Sequence, residues 1–364
     1  MAATPNESSR VLCDSQMDFA LRVLHHQPAS KAYVFSPLTI AAAVALVHAG
    51  SKGDTKDEIR DVLMPGATHQ DFEQHLSAAV MSLLGSKCVN LASHVFYRKD
   101  ININEPYLER VKKMYGSGAT PLDFDNGIAA SEAINGFVNK TTKGFIKQII
   151  GAKDIDKESV AVIANALYFK SDWFRKFQKN YTRTGTFYNS KSSSRPIQFM
   201  SAIGPTYFTE NNLFEVLTLH YEDTAFRLNI LLPKARFGLT EALERIDGAT
   251  IRHLITPTKP RTLIVELPKW RTESGTDLKH LLGALGMKKL FDGAGDLTDI
   301  ADDMRITSSF HKAIIDVDEE GTTAAAATGI AVGGCPVRDK FTADHPFLYI
   351  LAKKQLPLFV GIYA

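Results

Sequence analysis

Cysteine is scarce. Cys13, Cys88 and Cys335 are the three in 364 residues, far apart and in no CxxC or Cys/His spacing. An odd, scattered set builds neither a closed disulfide framework nor a structural zinc site, and it fits a reducing compartment. An excess of charge is also missing, with 42 basic against 40 acidic side chains and a formal net charge of +2. A nucleic-acid binder needs clustered Lys and Arg to displace counterions from phosphate. Here the basic residues come as scattered pairs, Lys112-Lys113, Lys288-Lys289 and Lys353-Lys354, which read as solvated surface. No apolar run approaches the ~20 residues that span a bilayer, so no membrane partner is expected. The start, Met1-Ala2-Ala3-Thr4-Pro5-Asn6-Glu7, lacks the basic flank and continuous apolar stretch of a secretory signal. A cytoplasmic protein is expected, with release from cells left open, and the sequons at Asn6, Asn139 and Asn180 then count as chance matches. GxSxG, HExxH and P-loop patterns are absent, so His25-His26 and Asp302-Asp303 read as surface groups and neither an enzyme, a metal site nor a cofactor is expected.

What is present is ordinary globular composition, 45% hydrophobic and 23% charged, with no linker or repeat to cut it. One interwoven domain, residues 1–364, of mixed α and β structure is expected. Met17, Ala20, Leu21 and Leu24 share a helical face. Ser36-Pro37 opens a second helix, since the serine caps free N–H groups and the proline suits the first position; Gly50 stops it. Thr55-x-x-Glu58 has the pattern of a capping box for a third, ended by Pro65-Gly66. Strands begin at Leu91 to Arg98, and a helix is expected around Ile134, Phe137 and Val138. The run Val160 to Phe169 is apolar on both alternating faces, as in a central strand covered on two sides. Within it Asn165 predicts a polar cluster inside the core, because a buried amide without partners costs roughly 1–3 kcal/mol. Further strands are expected at Phe214 to His220, Ala225 to Leu232, Thr262 to Leu267, Phe347 to Leu351 and Leu356 to Tyr363, and a helix at Asp277 to Leu285.

After a strand at Ala313 to Val317 comes an anomaly, Glu319-Glu320-Gly321-Thr322-Thr323-Ala324-Ala325-Ala326-Ala327-Thr328-Gly329, followed by Ile330-Ala331-Val332-Gly333-Gly334-Cys335-Pro336. Four alanines bracketed by glycines do not sustain a helix. As a strand, Thr322, Ala324, Ala326 and Thr328 would share one face and Thr323, Ala325 and Ala327 the other. Both faces are small and uncharged. Such a strand could slip between two others without burying charge or overpacking the core.

This hinge resembles that of inhibitory serpins. Asn165-Ala166-Leu167-Tyr168-Phe169-Lys170-Ser171-Asp172-Trp173, Phe35-Ser36-Pro37-Leu38-Thr39-Ile40, His311-Lys312-Ala313 and Leu267-Pro268-Lys269-Trp270 match further family motifs in family order. Phe341-Thr342-Ala343-Asp344-His345-Pro346-Phe347 is similar to the intracellular, ovalbumin-like branch. The resemblance implies an α+β fold of three β-sheets and about nine helices, with a reactive-centre loop at about 319–341. It implies a single-use inhibitor: a target protease cuts the loop, and the cut loop inserts into the main sheet while the protease is still attached as an acyl-enzyme. It places Ser36, Thr39, Asn165 and His311 in a "shutter" beneath that sheet, and Trp173, Lys269 and Glu319 at the "breach" where insertion starts, with Lys269 and Glu319 as an ion pair.

The resemblance also implies a reactive bond about fourteen residues past the hinge glycine, which from Gly321 falls at Cys335-Pro336. Proline after the bond crowds the leaving group, so Gly334-Cys335, Val332-Gly333 and Arg338-Asp339 stay open. The small apolar flank Ile330 to Gly334 points to elastase-like serine or papain-like cysteine proteases as partners. Lys87 is the one Lys or Arg from Asp71 to Lys87, so no heparin site is expected, and a monomer is. A non-inhibitory serpin with a chaperone, carrier or storage role is the alternative, although its mark, a charged, bulky or proline-bearing hinge, is missing from Thr322 to Thr328. Among the departures from the family outside the loop, Phe145 follows Gly144 where the family commonly has lysine.

Overall fold

A computed structural model of the protein describes residues 7–257, 259–322 and 339–364. From the N-terminal side the elements run α1 (Glu7–His25), β1 (Tyr33–Phe35), α2 (Pro37–His48), α3 (Gly53–Leu63) and α4 (His69–Leu83). Strands then enter between helices: β2 (Val89–Arg98), α5 (Glu105–Tyr115), β3 (Ala119–Leu122), α6 (Gly127–Thr141), β4 (Ala161–Phe169) and the short β5 (Ser171–Asp172). An antiparallel run follows, β6 (Arg183–Ser190), β7 (Ser193–Glu210), β8 (Phe214–His220) and β9 (Phe226–Pro233). After α7 (Leu239–Glu244) and α8 (Gly248–Leu254) come β10 (Pro260–Pro268), β11 (Trp270–Asp277) and α9 (Leu278–Ala284). The remainder is β12 (Ile306–Val317), β13 (Gly321–Thr322), β14 (Lys340–Thr342), β15 (Phe347–Lys353) and β16 (Leu356–Tyr363). Nine α-helices and three sheets among the described residues match the expected fold class. No helix among them is long and apolar enough to cross a membrane.

The chain forms two compact units, each gathered from three stretches. The first comprises Met1–Phe19, Ser36–Tyr168 and Ser274–Ala313. Its centre is α2, apolar all round and buried along all 12 residues. A helix with no polar face has to be covered on every side. Ser36 caps it by accepting from the Thr39 N–H at 3.2 Å, and Pro37 fills the first turn, as the sequence predicts. The Thr55 capping box does not form. Helix α3 starts earlier, at Gly53, with Lys52 at the cap position. Thr55 lies buried inside it, and its hydroxyl accepts from the Asp296 N–H at 3.0 Å, a tertiary contact that no local pattern announces. The five-stranded sheet runs β11-β12-β4-β2-β3, so the apolar β4 is its middle strand and is buried at every position.

The second unit comprises Ala20–Phe35, Phe169–Glu273 and Ile314–Ala364. It holds a nine-stranded sheet in the order β1-β16-β15-β9-β8-β7-β10-β14, with β6 paired to β7. The 18-residue β7 bridges this sheet, pairing in succession with β6 from Ser193 to Phe199, with β10 from Phe199 to Tyr207 and with β8 from Tyr207 to Glu210. The apolar residues of β15 and β16 are core, as their composition predicts. The two-stranded pair β13-β5 completes the set and carries the site.

Candidate functional site

The first unit contains the polar cluster that Asn165 predicts. Ser36, Thr39, Asn165 and His311 come from α2 and its cap, β4 and β12, and all four are fully buried. The Thr39 hydroxyl donates to Asn165 Oδ1 at 2.8 Å, and Asn165 Nδ2 donates to the Thr39 carbonyl at 3.0 Å. The Ser36 N–H donates to His311 Nε2 at 3.0 Å, so that nitrogen is an acceptor and carries no proton. The ring proton therefore sits on Nδ1 and is given to Asn165 Oδ1 at 2.7 Å. Each polar atom of the cluster thus has a complementary partner only while His311 is neutral. Burial pushes the imidazole down to about 3, in keeping with that tautomer. The His311 to Asn165 bond also joins β12 to its sheet neighbour β4.

The second unit brings Trp173, Lys269 and Glu319 together. Lys269 Nζ lies 2.7 Å from Glu319 Oε2. The Glu319 carboxylate is 4% exposed and also accepts from the Thr182 hydroxyl at 2.6 Å. Burial alone would raise this carboxyl, but Lys269 and Thr182 outweigh it and hold it below the ordinary glutamate range. Glu320 is likewise sunk beside Lys176 and Lys179, each 3.2 Å away, and is also held below its ordinary value against the cost of burial. Trp173 stacks on Tyr221 with centroids 4.5 Å apart, while its indole N–H donates to the Asp318 carbonyl at 2.8 Å.

These contacts fix the hinge. The Trp173 and Phe177 N–H groups donate to the Glu320 and Glu319 carbonyls, each at 2.9 Å, and the Asp318 carboxylate accepts from the Glu320 and Gly321 N–H groups at 2.9 and 3.2 Å. Gly321 and Thr322 then pair antiparallel with Asp172 and Ser171, the two residues of β5 that follow β4 in the chain after Lys170. The buried Thr322 hydroxyl meets the Tyr221 hydroxyl at 2.9 Å. Thr182, Lys176, Lys179 and Tyr221 were not singled out in the sequence. Nothing local marks them, because the stretch 176–182 and Tyr221 both reach the hinge from segments far from it in sequence. Thr323, Ala324, Ala325, Ala326, Ala327, Thr328, Cys335 and Pro336 lie outside the described residues.

Gly321 has φ +154°, and a Cβ built there would stand 2.3 Å from the Ser171 carbonyl oxygen and 2.6 Å from the Asp172 Cα. Both obstacles are backbone and cannot rotate away. Gly321→Ala is expected to open the β13-β5 pair at a local cost of about 1–3 kcal/mol. The check is amide exchange: the Trp173 N–H, which donates to Glu320, should exchange faster in the variant, and an unchanged rate would contradict the close approach.

With this geometry in hand, comparisons with known proteins are decisive about ancestry. Residues 14–364 match the family described as Serpin (serine protease inhibitor). Serpin-ZXA of Oryza sativa subsp. japonica is 32% identical, with 97% of this chain and 96% of that one covered. Leukocyte elastase inhibitor of Xenopus laevis is 31% identical over 91% of this chain and 92% of its own. Uncleaved ovalbumin superposes with a TM-score of 0.86 at 25% identity, covering 97% and 99% of the two chains. The chain belongs to the serpin family, whose description is that of protease inhibitors and not of enzymes.

Proposed function

We propose that this serpin is inhibitory, a single-use trap for a protease. The nucleophile of the protease attacks the carbonyl before the reactive bond and expels the amine after it. The freed loop then enters the five-stranded sheet as an added strand between β12 and β4 before water can release the acyl-enzyme. The observation that supports this reading best is the pairing of Gly321 and Thr322 with β5: the first rung of the added strand already lies beside the continuation of β4. The residues that would follow, Thr323 to Thr328, are small and uncharged on both faces in sequence, so burying them costs little. An added strand gains main-chain hydrogen bonds from both neighbours, the source of energy that loop insertion draws on.

In this reading Ser36, Thr39, Asn165 and His311 form the shutter that parts with the sheet. Trp173, Lys269 and Glu319 form the breach. The reactive bond is Cys335-Pro336, the targets are elastase-like serine or papain-like cysteine proteases, and the protein acts as a cytoplasmic monomer built as one serpin domain. The test is incubation with both protease classes, followed by denaturing electrophoresis and mass measurement of the released fragment. A covalent complex and a fragment beginning at Pro336 are expected. Cleavage by the panel with no complex and no loss of protease activity would overturn the trap in favour of a non-inhibitory role.

A further inference from the structure

The connection from α6 to β4 does more than join them. Residues 142–150 form a strap fastened to both β4 and β12, which are neighbours in the five-stranded sheet. Its frame is set by hydrogen bonds. Thr142 Oγ donates to the Val138 carbonyl at 2.7 Å and accepts from the Ile146 N–H at 3.1 Å. Asn135 Oδ1 accepts from the Ile149 and Ile150 N–H groups at 2.8 and 3.2 Å, while its Nδ2 donates to the Ile150 carbonyl at 2.8 Å. Two successive left-handed residues, Lys143 at φ +53° and Gly144 at φ +86°, then turn Phe145 onto the sheet. Its ring lies flat on Tyr168 of β4, with centroids 3.8 Å apart and planes 11° from parallel. Tyr168 is 2% exposed and Phe145 39%, so the phenylalanine caps a buried tyrosine. The second fastening is a hydrogen bond of 2.9 Å from Lys312 Nζ on β12 to the Gln148 carbonyl.

We propose that Phe145 is a latch, a positioning residue that sets how fast β4 and β12 part to admit the loop. The inference rests on the inhibitory reading above. A strand added between two neighbours roughly doubles their spacing, moving them apart by about 4.8 Å. A strap tied to both strands cannot keep both ties unaltered. The Lys312 tie has four methylenes of slack and yields by changing rotamers. The Phe145 tie has no such slack, because a stacked ring is lost once it slides a few ångströms from its partner. The stack is therefore the contact that opening must break, and it belongs to this chain's own phenylalanine at a position where the family commonly has lysine.

The experiment is the rate at which loop-cleaved protein relaxes. Wild type, Phe145→Ala, Phe145→Lys and Phe145→Tyr are cut rapidly with excess protease, and the change in intrinsic fluorescence is timed, with thermal unfolding before and after as the record that relaxation took place. Phe145→Ala and Phe145→Lys are expected to relax about 2- to 10-fold faster than wild type, the effect of losing one stacked aromatic pair, and Phe145→Tyr at the wild-type rate. A merely structural role would lower the unfolding temperatures of the cut and uncut forms together and leave the rate alone. Equal rates in a wild type and an alanine variant that both relax would overturn the latch. A wild type that gains no stability on cutting would instead take away the insertion reading itself, and the latch with it.

Discussion

Cutting the chain between Thr328 and Arg338 is expected to raise the unfolding temperature by on the order of 20 °C, with no change in composition other than one hydrolysed bond. In the inhibitory reading the reason is a strand that the sheet gains only after the cut. If the stretch from Thr322 to about Cys335 inserts, it forms about 14 new ladder positions and roughly 45 Å of strand. Each main-chain hydrogen bond is worth about 1 kcal/mol net, so insertion gains on the order of 10 kcal/mol. For a chain of this size a kilocalorie shifts the midpoint by about 1–2 °C, less than for smaller domains. Insertion starting at Thr322 leaves Glu319 and Glu320 where they are, with their lysine partners intact, so no buried charge has to move. Differential scanning calorimetry of intact and cut protein is the direct measurement. Coincident midpoints would mean that the cut loop stays outside the sheet.

Much of this was legible in the sequence, and the reasons differ from place to place. The Ser36-Pro37 start of α2 and the doubly apolar β4 are local signals, a cap with a fixed-φ residue in one case and a run without polar alternation in the other. Asn165 was readable because burying an amide obliges the fold to supply partners; burial alone does not say which, and it was the family motifs that named Thr39 and His311. The strands β6 and β7 are not legible because residues 183–210 alternate poorly: much of both is exposed or half-exposed, and it is the pairing of β6 with β7, and of β7 with the distant β10, that makes them strands. Thr55-x-x-Glu58 misled for the opposite reason, a local pattern overruled by a distant N–H. The aromatic support beneath the hinge was invisible, since Tyr221 is only one of 11 tyrosines until the fold sets it against Trp173 and Thr322. Phe145 was visible as a departure from the family, but its partner Tyr168 was not.

Acid should weaken this fold well before its carboxylates titrate. In the folded state His311 stays neutral down to about 3, whereas in the unfolded chain it takes up a proton near the ordinary 6.5. A group whose folded value is depressed in this way contributes its full stability above 6.5, and that contribution falls as the pH drops from 6.5 toward 3. At pH 5 the loss is about 2 kcal/mol for this one residue. Burial also pushes His75 and His94 down to about 4, so each adds a loss of similar size over the same window. Together they remove roughly 6 kcal/mol by pH 5, a large part of the 5–15 kcal/mol that holds a typical domain folded. Urea unfolding at pH 7.5 and pH 5 measures this directly. His311→Gln should be less stable than wild type at pH 7.5, because Ser36 and Asn165 lose their shared partner, yet between pH 7.5 and pH 5 it should lose about 2 kcal/mol less than wild type does. Identical pH dependences in the two proteins would show that the imidazole is not held neutral. The hydrogen-bond pattern says why it must be: a proton on Nε2 would face the Ser36 N–H at 3.0 Å, donor against donor, at a fully buried site. The Nδ1–H bond from His311 on β12 to Asn165 on β4 survives that proton, so the acid-sensitive contact is the one to Ser36 and not the tie between the two strands.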